Sequence, residues 1–314
     1  MNDYAYSMNL QEEIRNGHVV SAQMKKVWAV QLDLLRKLLE VCDKYHLRIW
    51  ADGGTLLGTV RHKGYIPWDD DIDMVMFRDD YDKLVQLAAK EFNHPYFFQC
   101  GYTEKVYPRG HAQLRMDGTT AILPLPAFVN THQGIFIDIF PYDAVPDDED
   151  VMLLQIKQRN SLFNLMQHVV SFDCFHPFRS VFLSWYRMRF NHLFKRYEDL
   201  FRQFRMEDCR NVSCFSFQVD LDHLLRDKHW YDETLYMPFE DVRMPVPSGY
   251  HEILTKQYGD YMTPKKAPSI HGEFWRLDAD TGYEVYLPDL KRYLHRINVQ
   301  RNKLRLKKVF ASLK

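Results

Sequence analysis

The stretch Ile66-Pro67-Trp68-Asp69-Asp70-Asp71-Ile72-Asp73 places four carboxylates within five residues. Such a cluster repels itself unless a cation neutralises it. The residues that follow, 74–77, are apolar and strand-like, so the acidic run leads into a buried strand. Alternate side chains of a strand share a face, which predicts Asp71 and Asp73 on one side, roughly 6–7 Å apart, with Ile72 in the core. Two such carboxylates can bind one divalent ion, although an Asp-x-Asp pair alone also fits a surface acidic loop or a calcium-type loop.

Two further segments favour the metal site over those alternatives. The turn Asp52-Gly53-Gly54 follows a predicted strand and opens a predicted helix from Thr55 to about His62. Backbone amides at a glycine-rich helix start, with a hydroxyl in the first turn, suit phosphate oxygens. Downstream, the apolar run 134–140 holds one carboxylate, Asp138, and a lone buried charge is costly unless it is paired or bound to metal. Asp138 is therefore the predicted third ligand.

These features resemble the active-site layout of the polymerase-beta-type nucleotidyltransferase superfamily. Two segments are more specific, because GTLLGTVRHKGYIPWDDDID (54–73) and GIFIDIFPYD (134–143) closely resemble the LicD family. That family is named for enzymes that transfer phosphocholine and is related to fukutin-type sugar-phosphate transferases. The segments QLRMDGTT (113–120) and MPFEDVRMPVPSGYHEILTKQYGDYM (237–262) extend the resemblance, with gaps, over most of residues 20–265.

Phosphoryl chemistry needs cations that neutralise the transferring group. We expect Mg²⁺ or Mn²⁺ on the predicted catalytic residues Asp71, Asp73 and Asp138, since hard cations prefer oxygen ligands. Asp138 is also the candidate base for the acceptor hydroxyl. The predicted substrate-binding residues are Gly54 and Thr55 for phosphate, Arg61 and Lys63 for the diphosphate, and Trp68 and Arg115. Arg61 could instead pair with Asp69 or Asp70.

The aspartates do not decide which group is transferred. The LicD resemblance implies that phosphocholine, or a related alcohol phosphate, moves from CDP-choline or another CDP-alcohol to a glycan or lipid-linked glycan, with release of CMP. Lipopolysaccharide, teichoic acid and capsule precursors are acceptors of this kind. The alternatives are a nucleotidyltransferase that adds NMP from an NTP to a small molecule, and a non-catalytic glycan- or membrane-binding relative. Six aromatic residues could form a cage for choline or simply belong to the core: Trp50, Tyr65, Trp68, Phe136, Phe140 and Tyr142.

The periodicity of apolar residues predicts an α+β fold, a mixed β-sheet core with flanking helices and a helical insertion. The family resemblance implies that this core is nucleotidyltransferase-like. Strands are expected at 47–51, 71–77, 96–100, 111–116 and 134–140, and helices at 20–46, 80–92 and 248–259, with a hairpin at 236–247. The predicted division is a catalytic core at 1–146, a helical subdomain at 147–230, a segment returning to the core at 231–290 and a basic amphipathic tail at 291–314.

The hydrophobic content, 46% of the 314 residues, is ordinary for a globular protein. The five cysteines form no Cys-x-x-Cys pair, which fits a reduced, cytoplasmic protein. No apolar run of 18 residues or amino-terminal signal pattern is present. Charge is uneven, since nine of the 41 Lys and Arg residues and no acidic residue fall at or after Lys291. This tail could contact an anionic membrane surface, which would make the protein peripheral on the inner face of the membrane, or it could be a solvated terminal helix. A nucleic-acid partner is not expected. Within the aromatic and basic segment 172–205, one long helix is predicted after Pro177, either at a bilayer interface or with its aromatic residues in its own core.

Overall fold

The computed structural model describes residues 8–107, 109–125, 130–170, 188–216, 219–265 and 274–312. Its α-helices are α1 (Ala22–Lys44), α2 (Gly53–His62), α3 (Arg78–Glu91), α4 (Glu149–Val170), α5 (Phe190–Asp199), α6 (Leu221–Leu224), α7 (Tyr250–Tyr258) and α8 (Leu287–Ser312). Its strands are β1 (Glu13–Arg15), β2 (His18–Val20), β3 (Trp50–Ala51), β4 (Asp73–Phe77), β5 (Tyr96–Gln99), β6 (Ala112–Met116), β7 (Thr120–Ile122), β8 (Phe136–Val145), β9 (Asn211–Ser213), β10 (Arg226–Asp227), β11 (Thr234–Phe239), β12 (Val242–Pro247) and β13 (Arg276–Asp278).

A seven-stranded mixed sheet organises the fold. One path through the sheet has the order β10-β9-β8-β4-β3. Strand β6 also pairs with β8, along the edge opposite β4, and β5 pairs with β6. Strands β4 and β8 are parallel, whereas the other pairs in the sheet are antiparallel. The register places Asp138 of β8 opposite Asp73 of β4 and opposite Gln113 of β6. The predicted α+β class with a mixed sheet core is therefore confirmed.

Helix α1 covers one part of this sheet. Ser21 begins the helix, where its hydroxyl accepts a hydrogen bond from the Met24 amide at 3.2 Å, a common way to satisfy an exposed helix amide. Seven leucines and valines of the helix are buried, whereas Leu39 is only partly buried, which largely fits the predicted apolar stripe. Burial of each such side chain stabilises the fold by about 1.5–3 kcal/mol. The helix is thereby fixed over β6 and over β8, the strand that carries Asp138.

Several boundaries differ from the sequence prediction. Strand β4 begins at Asp73, so Asp71 belongs to the preceding loop and not to the strand face on which it was predicted. Helix α3 begins at Arg78, two residues before the predicted start at residue 80, which places Asp79 and Asp80 inside its first turn. There their carboxylates still interact favourably with the positive end of the helix dipole.

The helices α4 and α5 lie in the chain between β8 and β9, which are neighbours in the sheet. They share a second apolar cluster with residues of the adjoining segments. The predicted long helix of the segment 172–205 lies partly outside the described residues, and its described part ends as α-helix at Asp199. Phe190, Phe194 and Tyr197 of that part are buried in this cluster, as expected for the aromatic residues of an ordinary helical core. The predicted domain boundaries stay a prediction.

The carboxyl-terminal part forms a hairpin, β11–β12, and the helix α7, which ends at Gly259 as predicted. Helix α8 begins at Leu287, four residues before the predicted tail. Among the described residues, none of the helices has both the length and the apolar character that a membrane span requires.

Candidate active site

Asp71, Asp73 and Asp138 converge at one end of the β4–β8 pair. One carboxylate oxygen of each lies within 4.8 Å of the other two. Asp73 and Asp138 stand opposite each other on the parallel strands, and the Asp138 amide donates to the Ile72 carbonyl at 2.8 Å. Asp71 reaches the pair from the loop and is itself 8% exposed. The structure thus brings the three predicted ligands together, although one comes from a loop.

The electrostatics of this cluster disfavour full ionisation. Burial raises the pKa of Asp73 well above its usual value, and the carboxylates of Asp71, Asp138, Asp69 and Asp52 raise it further. Burial, followed by Asp71 and Asp70, raises the pKa of Asp69 in the same way. Buried carboxylates at such distances are stabilised as anions by a divalent cation. Their all-oxygen donor set fits Mg²⁺ or Mn²⁺.

Helix α1 holds the acidic loop through its main chain. The Trp28 indole donates to the Asp69 carbonyl at 3.0 Å, and the Gln31 amide donates to the Asp70 carbonyl at 2.7 Å. Tyr65 stacks on Trp28 with ring centroids 4.4 Å apart. Because both donors are neutral, they fix the loop without neutralising its carboxylates. Sequence analysis had assigned this role to neither residue.

The glycine turn lies directly against the carboxylates. Gly53 has φ +52°, which favours glycine, and a Cβ there would lie 3.2 Å from Asp73 Oδ2. A Cβ on Gly54 would lie 2.7 Å from Asp69 Oδ2, closer than side-chain carbons approach such an atom. The amino-terminal end of α2, where the first amides of a helix lack partners within the helix, therefore lies beside the carboxylate cluster, a position that favours phosphate. The phosphate contact predicted for Gly54 stays a prediction.

Thr55 holds the first residue of strand β4, Asp73, in place. Its side chain is 3% exposed, and its hydroxyl accepts a hydrogen bond from the Asp73 amide at 2.9 Å. This contact fixes the position at which β4 begins. In the structure the hydroxyl contacts the main chain of a metal-ligand candidate, and its predicted contact with phosphate stays a prediction.

Arg61 and Lys63 lie toward the other end of α2. An α-helix rises 1.5 Å per residue, so Lys63 is roughly 15 Å along the axis from Gly53. The Arg61 guanidinium donates to the Tyr261 carbonyl at 2.6 Å and lies 3.3 Å from the His62 ring, so its observed contacts are not with Asp69 or Asp70. The contact with a diphosphate that was predicted for Arg61 and Lys63 stays a prediction.

The predicted aromatic residues lie mainly in the core. Trp68 is half-buried and meets the His18 ring edge-on at 5.9 Å. The other five candidates for a choline cage are at most 8% exposed, and Trp50 and Tyr142 pack against Tyr231. The structure therefore favours a packing role for them.

The side chain of Arg115, on strand β6, is buried and does not face open solvent. Its guanidinium donates to Gln99, to the Gly134 carbonyl at 2.6 Å and to Gln113 Oε1 at 2.5 Å. Gln113 in turn donates to Asp138 Oδ1 at 2.6 Å. This arrangement favours a supporting role for Arg115 over direct substrate contact. Sequence analysis missed Gln113, although its alternation with Arg115 in strand β6 marks one polar face.

A second group that sequence analysis missed lies beneath the glycine turn. The buried Arg226 forms an ion pair with the partly buried Asp52 at 2.5 Å, and Asp52 also accepts a hydrogen bond from the Tyr142 hydroxyl at 2.7 Å. Tyr258 of α7 lies at the same turn, where burial and then Asp52 and Asp73 raise its pKa. Arg226 and Tyr258 are far from Asp52 in sequence, so only the fold brings them together.

The chain was compared with known proteins. Residues 46–147 match the family described as LicD/FKTN/FKRP, nucleotidyltransferase domain. The lipopolysaccharide cholinephosphotransferase LicD of Haemophilus influenzae is 28% identical over 250 residues, which cover 74% of this chain and 89% of that protein. The human ribitol 5-phosphate transferase FKRP is 38% identical over 56 residues, which cover 18% of this chain and 11% of that protein. The matched region includes the glycine turn, the acidic run and Asp138, and residues 46–147 of this chain are therefore similar to the nucleotidyltransferase domain of the LicD/FKTN/FKRP family.

Proposed function

We propose that this protein is a transferase that moves phosphocholine, or a related alcohol phosphate, from a CDP-activated donor to a hydroxyl of a cell-surface glycan such as lipopolysaccharide. The observation that carries the proposal is the Asp71, Asp73 and Asp138 cluster within the matched family domain. The similarity to a lipopolysaccharide cholinephosphotransferase across most of both chains supports the group transferred and the acceptor class.

The three carboxylates would hold Mg²⁺ or Mn²⁺. Bound there, the cation supplies neutralising charge to the phosphates. In the reaction the acceptor oxygen forms a bond to the phosphorus of the alcohol phosphate, the bond from that phosphorus to the CMP oxygen breaks, and the acceptor hydroxyl loses its proton. CMP is the second product. The buried Asp138 is our candidate to accept that proton.

The residues of the chain have separate tasks in this proposal. The amides at the start of α2 would bind phosphate oxygens beside the carboxylates, since Gly53 and Gly54 leave no side chain in the way. Thr55 and the α1 donors Trp28 and Gln31 hold the strand and the acidic loop in position. Preorganisation of this kind lowers the cost of reaching the transition state.

The acceptor would be presented at a membrane if it is lipid-linked. Helix α8 carries the basic tail, and Ile297 and Val299 are 41% and 37% exposed on it. We propose that this helix contacts an anionic membrane surface. Removal of residues 291–314 should weaken binding to anionic liposomes without changing turnover on a soluble acceptor. Unchanged liposome binding would assign the tail to a solvated terminal helix.

The donor is tested without knowledge of the acceptor. Thermal unfolding is recorded with CDP-choline, CDP-ethanolamine, CDP-ribitol, CTP or ATP, each with Mg²⁺ and with a chelator. A ligand that binds the native state raises apparent stability. Selective, Mg²⁺-dependent stabilisation by one CDP-alcohol is expected, followed by CMP release when lipopolysaccharide is added. Stabilisation by triphosphates alone, with release of pyrophosphate, would establish nucleotidyl transfer instead.

A further inference from the structure

One row of polar side chains crosses the buried sheet at the level of the active site. Gln99, Gln113, Asp138 and Asp73 stand opposite one another on β5, β6, β8 and β4. Residues directly opposite on neighbouring strands point to the same face. Gln99, Gln113 and Asp138 are each fully buried. The predicted metal ligands Asp73 and Asp138 are therefore followed, on the neighbouring strands β6 and β5, by the side-chain amides of Gln113 and Gln99.

The hydrogen bonds define the orientation of the Gln113 amide. Its Oε1 atom accepts from Arg115 Nη2 at 2.5 Å and from the Tyr107 hydroxyl at 3.3 Å. A guanidinium can only donate, so the amide oxygen must face Arg115. The amide nitrogen then faces Asp138 Oδ1, to which it donates at 2.6 Å. This orientation follows from the chemistry of Arg115, because a guanidinium leaves only the amide nitrogen of Gln113 to face Asp138.

Arg115 is itself held by neutral groups. It donates to the Gln99 side chain and to the Gly134 carbonyl, and it lies over the Phe136 ring at 4.6 Å. Burial lowers the pKa of Arg115 to about 10, which still leaves it charged at neutral pH. Its charge therefore polarises the Gln113 amide toward Asp138 without forming an ion pair that would replace a metal.

We propose that Gln113, oriented by Arg115, is a positioning residue that fixes the Asp138 carboxylate for cation binding. Asp138 Oδ1 accepts a hydrogen bond from the Gln113 amide and also lies 3.1 Å from His111 Nε2. These two contacts orient the Asp138 carboxylate. Groups that orient a metal ligand commonly change metal affinity about 10- to 100-fold when they are removed. The inference rests on the proposed function, because it assumes that the carboxylates bind a cation.

The test measures the Kd of Mn²⁺ for the full-length chain by titration, with Mn²⁺ as the only ligand. The variants are Gln113→Met, which removes the amide at similar length, and Gln113→Asn, which keeps a polar group with shorter reach and is the safer variant for folding. Gln155→Leu is the matched control, since Gln155 is another buried glutamine and donates to the Leu200 carbonyl at 2.9 Å. Thermal unfolding of every variant shows that the Kd values refer to folded protein.

We expect both Gln113 variants to bind Mn²⁺ about 10- to 100-fold more weakly, and Gln155→Leu to bind it as the wild type does. A Mn²⁺ Kd within twofold of wild type in either folded Gln113 variant would overturn the inference and leave the proposed function standing. If Mn²⁺ binding depends on Gln113 but no CDP-alcohol is cleaved, the inference stands and the proposed function fails. Absence of Mn²⁺ binding by the wild type would overturn both.

Discussion

Strands β4 and β8 carry buried charged groups near both ends of their shared ladder, and the two ends are neutralised differently. At one end, Asp138 stands opposite Asp73, and the surrounding carboxylates raise the pKa of Asp73. Five residues further along, Asp143 receives two hydrogen bonds from Arg78, at 2.6 and 3.1 Å. Arg78 also pairs with Glu198 of α5 at 3.2 Å, and all three side chains are buried.

We call the end with Arg78 and Asp143 the structural end, and the end with Asp73 and Asp138 the functional end. A buried carboxylate needs a compensating charge, and at the Arg78 end the chain supplies it from its own sequence. At the Asp73 end, the neighbouring groups that most affect its pKa are further carboxylates, so compensation by an external cation is the simplest physical solution. The same pair of strands thus stabilises the fold at one end and carries the proposed cation site at the other.

The largest expected effect comes from removal of a charge at the functional end. Asp73→Asn should reduce transferase activity by at least about a thousandfold, or roughly 4 kcal/mol in transition-state stabilisation. The metal-free variant should unfold at the same temperature as wild type or higher, because carboxylate repulsion is relieved. Activity and thermal unfolding are measured together.

Asp71→Asn should behave in the same way, and Asp79→Asn is the matched control because Asp79 is exposed in α3. Retention of activity by both Asp71→Asn and Asp73→Asn would remove the metal hypothesis. A loss of stability in either variant would instead give these carboxylates a structural role like that of Asp143.

Removal of charge at the structural end should have the opposite signature. Arg78→Met leaves Asp143 and Glu198 buried without their shared cation, which should cost about 3–5 kcal/mol in the free energy of unfolding. Urea denaturation measures this loss. Arg205→Met, which breaks only exposed ion pairs, is the control and should change stability little.

The double variant Arg78→Met/Asp143→Leu tests whether the loss comes from an unpaired buried charge. It should recover part of the stability lost in Arg78→Met, because an apolar side chain needs no partner. No recovery would mean that packing around Arg78, not its charge, stabilises this end.

The contrast between the two ends was only half predictable from sequence. Asp71, Asp73 and Asp138 were found because each is a carboxylate in or beside an apolar run, a placement that requires compensation. The pairing of Arg78 with Asp143 depends on the parallel register of β4 and β8, which hydrophobic periodicity does not determine.

Other parts of the site also depend on tertiary contacts. Asp71 was assigned to the strand because alternation extends through it, but the Thr55 hydroxyl bonds the Asp73 amide at the point where β4 begins. Gln113 could have been found from the polar alternation of Gln113 and Arg115 in an otherwise apolar strand. The ion pair of Arg226 with Asp52 joins residues far apart in sequence and had no local signal.

Addition of metal should affect only the functional end. Mg²⁺ at about 100 times its Kd should stabilise the wild type by about 2.7 kcal/mol, which raises the Tm of a chain of this size by roughly 5 °C. Arg78→Met should show the same increment from a lower starting Tm, whereas Asp73→Asn should show little or none. An equal increment in Asp73→Asn would place the bound metal elsewhere.

The stability of the metal-free protein should also depend on pH at this end. Because the pKa of Asp73 is raised on folding, its ionisation opposes folding. That cost is absent below the pKa of an unfolded aspartate, about 3.9, and complete above the raised native pKa. Without metal, the Tm of the wild type relative to Asp73→Asn should therefore fall as pH rises from about 4 through neutrality. A constant difference would mean that Asp73 has an ordinary pKa.

The smallest expected effect sharpens the comparison at the level of the main chain. Thr55→Val keeps the shape of the side chain but removes the acceptor of the Asp73 amide, and an unsatisfied buried amide costs about 1–3 kcal/mol. Thr55→Ser keeps the hydroxyl and is the matched control. We expect Thr55→Val to lower both stability and Mn²⁺ affinity, and Thr55→Ser to retain the affinity of the wild type. If Thr55→Val loses stability but binds Mn²⁺ normally, the hydroxyl only ends the loop before β4, and the carboxylate geometry is determined by the β4–β8 register and its side-chain contacts.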